Sequence, residues 1–285
     1  AMKEIAPGIL IETGYEGVTL GTICTEFGAL MIDTPLTPKD TMAWRTICAR
    51  SSGGSDRLLV LLDEHNDRLS GAGGVKCPII VHERTAQWLV SRSQTLRAAG
   101  VSTDMEWEEI TEPVNTRGIH AEITFTKSIT IHWGDEPVLL EHHPGPSRGN
   151  TWVIVPEKQV AFIGDTVTPG LPPFLSNADF KAWLEALHEL QLARFNEYFL
   201  ISGRDELVNK EDIKHLERFL KKASREIDLI TRGKTKTDEV EKLAEELASD
   251  FNIRTRREAE QIKNRLIADI SEYLSNHSQK SPNND

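Results

Sequence analysis

The chain has 285 residues, of which 39% are hydrophobic, and a net charge of −11. That is ample apolar content for a large core, and the acidic balance argues against a nucleic-acid surface. No apolar run is long enough to span a bilayer, and no signal-peptide pattern opens the chain. Three scattered cysteines (Cys24, Cys48, Cys77) make no C-x-x-C pair, so a reducing, cytoplasmic setting without membrane attachment is expected. Ala1 ahead of Met2 reads as an addition before a natural start. The charge is uneven: 16 basic residues face 18 acidic ones from Asp205 onward, against 17 and 26 before it.

In chain order, Ile9 to Ile11, Thr19 to Thr25 and Ala29 to Ile32 are expected as short strands separated by turns at Pro7-Gly8, Gly14 to Gly17 and Phe27-Gly28. Asp33-Thr34-Pro35 ends the third. Thr37 then reads as an N-cap, with Pro38 at the first helical position. Leu58 to Leu62 and Ile79 to Val81 are expected strands, and Glu83 to Ala98 a helix. Five more strands follow at 123–125, 129–132, 138–142, 152–155 and 160–163. Next come a helix over Ala178 to Leu192, striped by Phe180, Leu184, Leu187 and Leu190, and a last strand at Phe199 to Ile201. Beyond Val208 the pattern is helical, at Glu211 to Thr231, Thr237 to Asp250 and Thr255 to Leu274, with breaks at Gly233 and near Asn252. This order predicts an α+β fold, an αββα sandwich over residues 1–208, with a C-terminal helical appendage over 209–277 and a frayed tail at 278–285. The stripe Ile262, Leu266, Ile270, Leu274 packs on the main domain or makes a homodimer contact.

The densest chemistry is Asp63-Glu64-His65-Asn66-Asp67-Arg68, just past an apolar strand and shortly before Gly73-Gly74. Asp63, His65 and Asp67 would share one side if the chain stays extended, as ligands of a metal would. Arg68 cannot be a ligand, because guanidinium stays protonated.

With these landmarks the chain resembles the metallo-β-lactamase-fold superfamily. The hairpin ending in Asp33-Thr34-Pro35, the run Asp63 to Arg68 before Gly73-Gly74, the strand ending in Gly164-Asp165 and the loop Ser202-Gly203-Arg204 stand in the family's order, over roughly Glu4 to Arg204. The resemblance implies a two-metal site built on H-x-H-x-D-H, a bridging Asp and two further His. Carried over by position, Asp63 replaces a His, and His65 and Asp67 match. Arg68 replaces a His, Asp165 matches the bridging carboxylate, and Arg204 replaces the last His. Where the family shows His-Thr-x-Gly, this chain has Pro146-Ser147-Arg148-Gly149, with His142 and His143 just upstream.

Three readings follow. In the first, one divalent metal (zinc, iron or manganese) sits on Asp63, His65, Asp165 and His143 or His142, with Asp67 as base for a bound water. The protein is then a hydrolase of a small ester, lactone or thioester. In the second, Arg68 and Arg204 pair with Asp67 and Asp165, guanidinium charge replaces metal charge, and no metal is held. In the third, Arg68, Arg204 and Arg148 cradle a small anionic ligand, or Arg68 and Arg204 meet a protein partner. His82, beside Glu83, is expected to pack or cap a helix, and His120, His132, His188 and His215 to be structural or peripheral. Trp107 and Trp133 line a cleft or, by default, pack in the core.

Overall fold

The computed structural model describes residues 2–15, 17–95, 119–204, 207–232 and 237–278. Trp107, the break at Gly233, the last turn expected for the 83–98 helix and the tail beyond 278 lie outside them. Two sheets form the centre. The first runs in order β1 (Met2–Ala6), β2 (Ile9–Glu12), β3 (Leu20–Cys24), β4 (Gly28–Ile32), β5 (Asp56–Val60), β6 (Ile79–His82) and β7 (Ile123–Phe125). Its first four strands are antiparallel and its last four parallel, since α1 (Pro38–Ser51) and α3 (Glu83–Thr95) serve as crossovers. The second sheet has the order β13 (Leu207–Val208), β12 (Phe199–Ser202), β11 (Val160–Gly164), β10 (Thr151–Val155), β9 (Pro137–His142) and β8 (Ser128–His132). Only β11 and β12 pair parallel, across α4 (Phe180–Leu190).

Strand alternation explains the layering. In β10, Val153 and Val155 point into the core between the sheets with Ile11, Leu30, Val60 and Phe162, while Trp152 and Ile154 point outward. The outer face of the first sheet is covered by Trp44 and Cys48 of α1 and Leu89 of α3. The outer face of the second is covered by α4, α5 (Lys210–Arg232), α6 (Thr237–Ala248) and α7 (Arg256–Ser278), through residues such as Trp183, Phe219, Leu247 and Leu266. Helix, sheet, sheet, helix is the αββα arrangement expected from the order of elements.

The expected cap of α1 is present, whereas α4 starts two residues later than expected, behind a cap that the sequence reading did not name. The Thr37 hydroxyl accepts the Asp40 amide at 3.2 Å and caps α1. Asp179 accepts the Ala182 amide at 3.0 Å and caps α4. Two strands escaped the sequence: β1, whose exposed residues lack an apolar run, and β13, too short to show a period. The Ile262, Leu266, Ile270 stripe is buried in the chain's own core. No helix among the described residues is long and apolar enough to cross a membrane.

Candidate functional site

Four chain segments end at one rim of the sandwich and bring their polar residues together. Asp33 follows β4, Asp63 to Arg68 follow β5, Asp165 follows β11 and Arg204 follows β12. Two backbone features aim them. Asp33 takes a left-handed φ of 58°, which lets its Oδ1 accept the Leu62 amide at 2.9 Å. The chain leaves the extended state at Asn66 and forms a short helix, α2 (Asn66–Leu69). The alternation expected to align Asp67 with Asp63 and His65 therefore stops at His65, and the helix turns Arg68 inward instead.

Arg68 is wholly buried and stands at the centre. Its Nη1 donates to Asp63 Oδ2 at 2.6 Å, and its Nη2 donates to Asp165 Oδ1. Its Nε lies 3.4 Å from Asp33 Oδ2, and its backbone carbonyl accepts the Thr34 hydroxyl at 2.7 Å. Gly203 makes room for it: a Cβ there would lie 2.2 Å from Arg68 Nη2, so a larger residue would have to displace the guanidinium. Arg204 closes the other side, its Nε donating to Asp165 Oδ2 at 2.8 Å and its Nη1 to Asp67 Oδ2 at 2.5 Å. His65 Nδ1 sits 3.0 Å from Asp63 Oδ2 and 3.5 Å from Asp165 Oδ2. Four carboxylates thus face two guanidinium groups and one imidazole in a volume that water scarcely enters.

The electrostatics follow from burial and pairing. Burial alone would raise the Asp63 carboxyl, but Arg68 and His65 hold it well below the usual carboxylate range. Asp165 is likewise pushed up by burial and held down by Arg204 and Arg68. Burial would neutralise His65, yet Asp63 and Asp165 overcome it and lift the imidazole to about 10. Asp33 has the weakest partner, and burial carries it up to about 7. A protonated Asp33 leaves three carboxylates against three cations.

The helical block completes the enclosure. Arg265 of α7 donates to the carbonyl of Pro172 at 2.6 Å and of Pro173 at 3.1 Å, and Asp269 accepts the Leu175 amide at 3.0 Å. These bonds hold Phe174, whose ring lies 4.7 Å from the Arg204 guanidinium and 5.2 Å from the His65 ring.

The structure thus brings together Asp63, His65, Asp67, Arg68, Asp165 and Arg204. His143 is not among them. Its ring stacks on Trp152 at 3.5 Å and contacts Glu141 at 3.2 Å, with Glu189 at 3.6 Å, in a separate cluster that Arg194 also bridges. His142 stacks on His82 at 3.6 Å and binds the Arg148 carbonyl at 2.8 Å, so it too lies outside the centre. His82 caps α3, its Nδ1 accepting the Arg84 amide at 3.2 Å. Trp133 lines a cleft of about 280 Å³ near Pro7 and Glu26, none of whose lining residues belongs to the charged centre. Asp67, expected as a base, is instead the partner of Arg204. Sequence reasoning missed Asp33 and Phe174 as parts of the site. Asp33 had a signal, the Asp-Thr-Pro turn, whereas Phe174 depends on a contact with α7 that local pattern does not encode.

Asp63, His65 and Asp165 offer ligand atoms within 4.8 Å of one another, so a candidate metal-ligand group exists. The donor chemistry does not fit an ion as the side chains stand. Asp63 Oδ2 and both Asp165 oxygens already accept guanidinium N–H groups, and a cation there would meet two fixed positive charges at close range.

Comparison with known proteins agrees with the fold. The Metallo-beta-lactamase superfamily profile matches residues 65–202. Among solved structures, a metallo-beta-lactamase from Pontibacter korlensis superposes with a TM-score of 0.61 at 19% identity, covering 78% of this chain and 98% of that one. One from Hirschia baltica gives 0.59 at 14%, over 77% and 97%. A double mutant of the sec-alkyl sulfatase PisA1 gives 0.65 at 13% and covers all of this chain, which spans about half of the sulfatase, 52%. No curated protein matches the sequence. The αββα layers and these neighbours show that the chain has the metallo-beta-lactamase fold, and the superfamily profile matches its span 65–202, which holds His65, Asp67 and Asp165 but also Arg68.

Proposed function

We propose that this protein is a metal-independent member of its superfamily, in which a buried arginine–aspartate lattice has taken the structural place of the metal centre and the protein acts by binding rather than by metal-assisted hydrolysis. The observation that carries this reading is Arg68, with no exposed surface, spanning Asp63 and Asp165 with its two terminal nitrogens. The structural neighbours are named as metallo-beta-lactamases and an alkyl sulfatase. Transfer of such activities needs a polarising cation and an open position beside it. Here the equivalent space is filled by guanidinium and roofed by Phe174. The same pairing argues against Arg68 and Arg204 as an anion cradle, because their donors already face carboxylates.

A single-metal hydrolase of a small ester, lactone or thioester is the second reading, favoured by the closeness of the Asp63, His65 and Asp165 ligand atoms. Elemental mass spectrometry on protein purified without a metal-affinity step decides between them, together with thermal melts in added zinc, iron(II) and manganese. The lattice reading expects far less than one equivalent of metal and no rise in Tm. Close to one equivalent of zinc, iron or manganese, lost in the Asp63→Ala/His65→Ala variant, would overturn it.

A further inference from the structure

Outside the charged centre, a cleft of about 610 Å³ lies between the loops that end β9 and open α3 and the helices α4, α5 and α7. That volume suits a small organic molecule. Its lining includes Arg84, Arg148 and Lys181, all exposed, for which no side-chain ion pair is found among the described residues. The one carboxylate in the lining, Asp179, is engaged as the N-cap of α4. The lining also holds Tyr273, whose ring meets Phe180 at 5.3 Å, and His277, stacked on Tyr273 at 4.0 Å. A concave surface with three cations against one carboxylate, on a chain of net charge −11, gives anions a local attraction that the net charge of the molecule opposes.

The placement of Arg148 is built rather than incidental. Glu64, buried at 7% exposure, accepts the backbone amides of Arg148 at 3.0 Å and Gly149 at 3.2 Å, and Thr85 donates to it at 3.3 Å. A Cβ on Gly149 would lie 2.1 Å from Thr85 Oγ1, so the loop is drawn tightly against α3. His142 binds the Arg148 carbonyl from the other side. The backbone is fixed from three directions while the guanidinium projects free into the cleft.

We infer that this cleft binds a small aromatic or heterocyclic phosphate monoester, its phosphate at Arg84, Arg148 and Lys181 and its ring against Tyr273 and His277. Arginine pairs recognise phosphate through paired N–H donors, and the aromatic end supplies a stacking wall for a planar group. This inference does not rest on the metal-free reading: the centre and the cleft share none of the residues tested.

The test titrates the full chain with phenyl phosphate, inorganic phosphate and phenol by isothermal calorimetry at low ionic strength. Phenyl phosphate is expected to bind more tightly than inorganic phosphate, phenol not to bind, and added salt to weaken the complex. The Arg84→Ala/Arg148→Ala/Lys181→Ala variant is expected to lose at least about tenfold in affinity for phenyl phosphate with its Tm unchanged, since each residue is exposed. His277→Ala is expected to reduce the advantage of phenyl phosphate over inorganic phosphate. The control variant Arg254→Ala/Arg256→Ala, two exposed cations away from the cleft lining, is expected to bind as the parent does. No binding of phenyl phosphate at millimolar concentration, undiminished binding by the triple variant, or an equal loss in the control would each overturn the inference.

Discussion

Arg68, in the short helix α2, and Arg148, in the loop between β9 and β10, were both candidates for one anion cradle, yet their surroundings oppose each other. Arg68 is wholly buried, donates to two carboxylates and lies near a third. Arg148 is exposed, has no ion pair among the described residues, and is held only through its backbone. The difference teaches what burial demands of a charge. A guanidinium removed from water must recover its lost hydration from fixed acceptors, so it becomes structure. A guanidinium at the edge of a cleft keeps its hydration and stays available to a ligand. Glu64 links the two regions, sitting next to Asp63 in sequence while clasping the Arg148 loop.

The strongest way to break this comparison is by truncation. Arg68→Ala should cost about 3–5 kcal/mol, because it takes the guanidinium from among three buried carboxylates and leaves Asp63 with His65 and Asp165 with Arg204 and His65 as their remaining cations. Arg148→Ala should stay within about 0.5 kcal/mol of the parent, as exposed substitutions do. Urea denaturation measures both, and similar losses would erase the distinction. Where Arg68→Ala does not fold, the milder Arg68→Lys still separates the sites, since one ammonium cannot reproduce a fork aimed at two carboxylates.

Removing the opposing charges together sharpens the point. Arg68→Met combined with Asp63→Asn and Asp165→Asn should be more stable than Arg68→Met alone by about 1–3 kcal/mol, because the triple variant no longer buries the two carboxylates that lost Arg68. Recovery would show that the single-variant loss comes from stranded carboxylates. An additive further loss would mean that each aspartate matters for reasons other than its charge.

The smallest of these effects is in the pH profile. His65 is raised from 6.5 to about 10, so its contribution is fully present below about 6.5 and is lost as pH rises toward about 10. Asp63 and Asp165 are depressed, so theirs is present above their ordinary value of 3.8 and lost as pH falls below it. Asp33, raised to about 7, adds a second decline as pH climbs from 3.8 through neutrality. Stability should therefore peak in mildly acidic solution. His65→Gln should flatten the decline between about pH 6.5 and 10 while leaving the acid limb in place. Denaturation midpoints across that range, in parent and variant, check it. The exposed Arg148 should change neither limb.

Much of the architecture could be read from sequence alone, because strand alternation, turn residues and caps are local. The buried run before Asp63, the Thr37 cap and the terminal helices all follow from patterns a few residues wide, and the order of elements is enough to imply two sheets between helical layers. So was the tension in the ligand run, since Arg68 and Arg204 cannot bind a metal in any fold. The short helix at Asn66 was beyond such reading, as were the Asp33 turn beneath Arg68, the departure of His143 to the Glu141 and Glu189 cluster, and the Phe174 roof held by α7. Each of these joins residues distant in sequence, and each depends on how much water remains around a charge. That quantity exists only once the layers have packed, so the sequence determined which charges the protein carries and tertiary structure decided which became structure and which were left for a ligand.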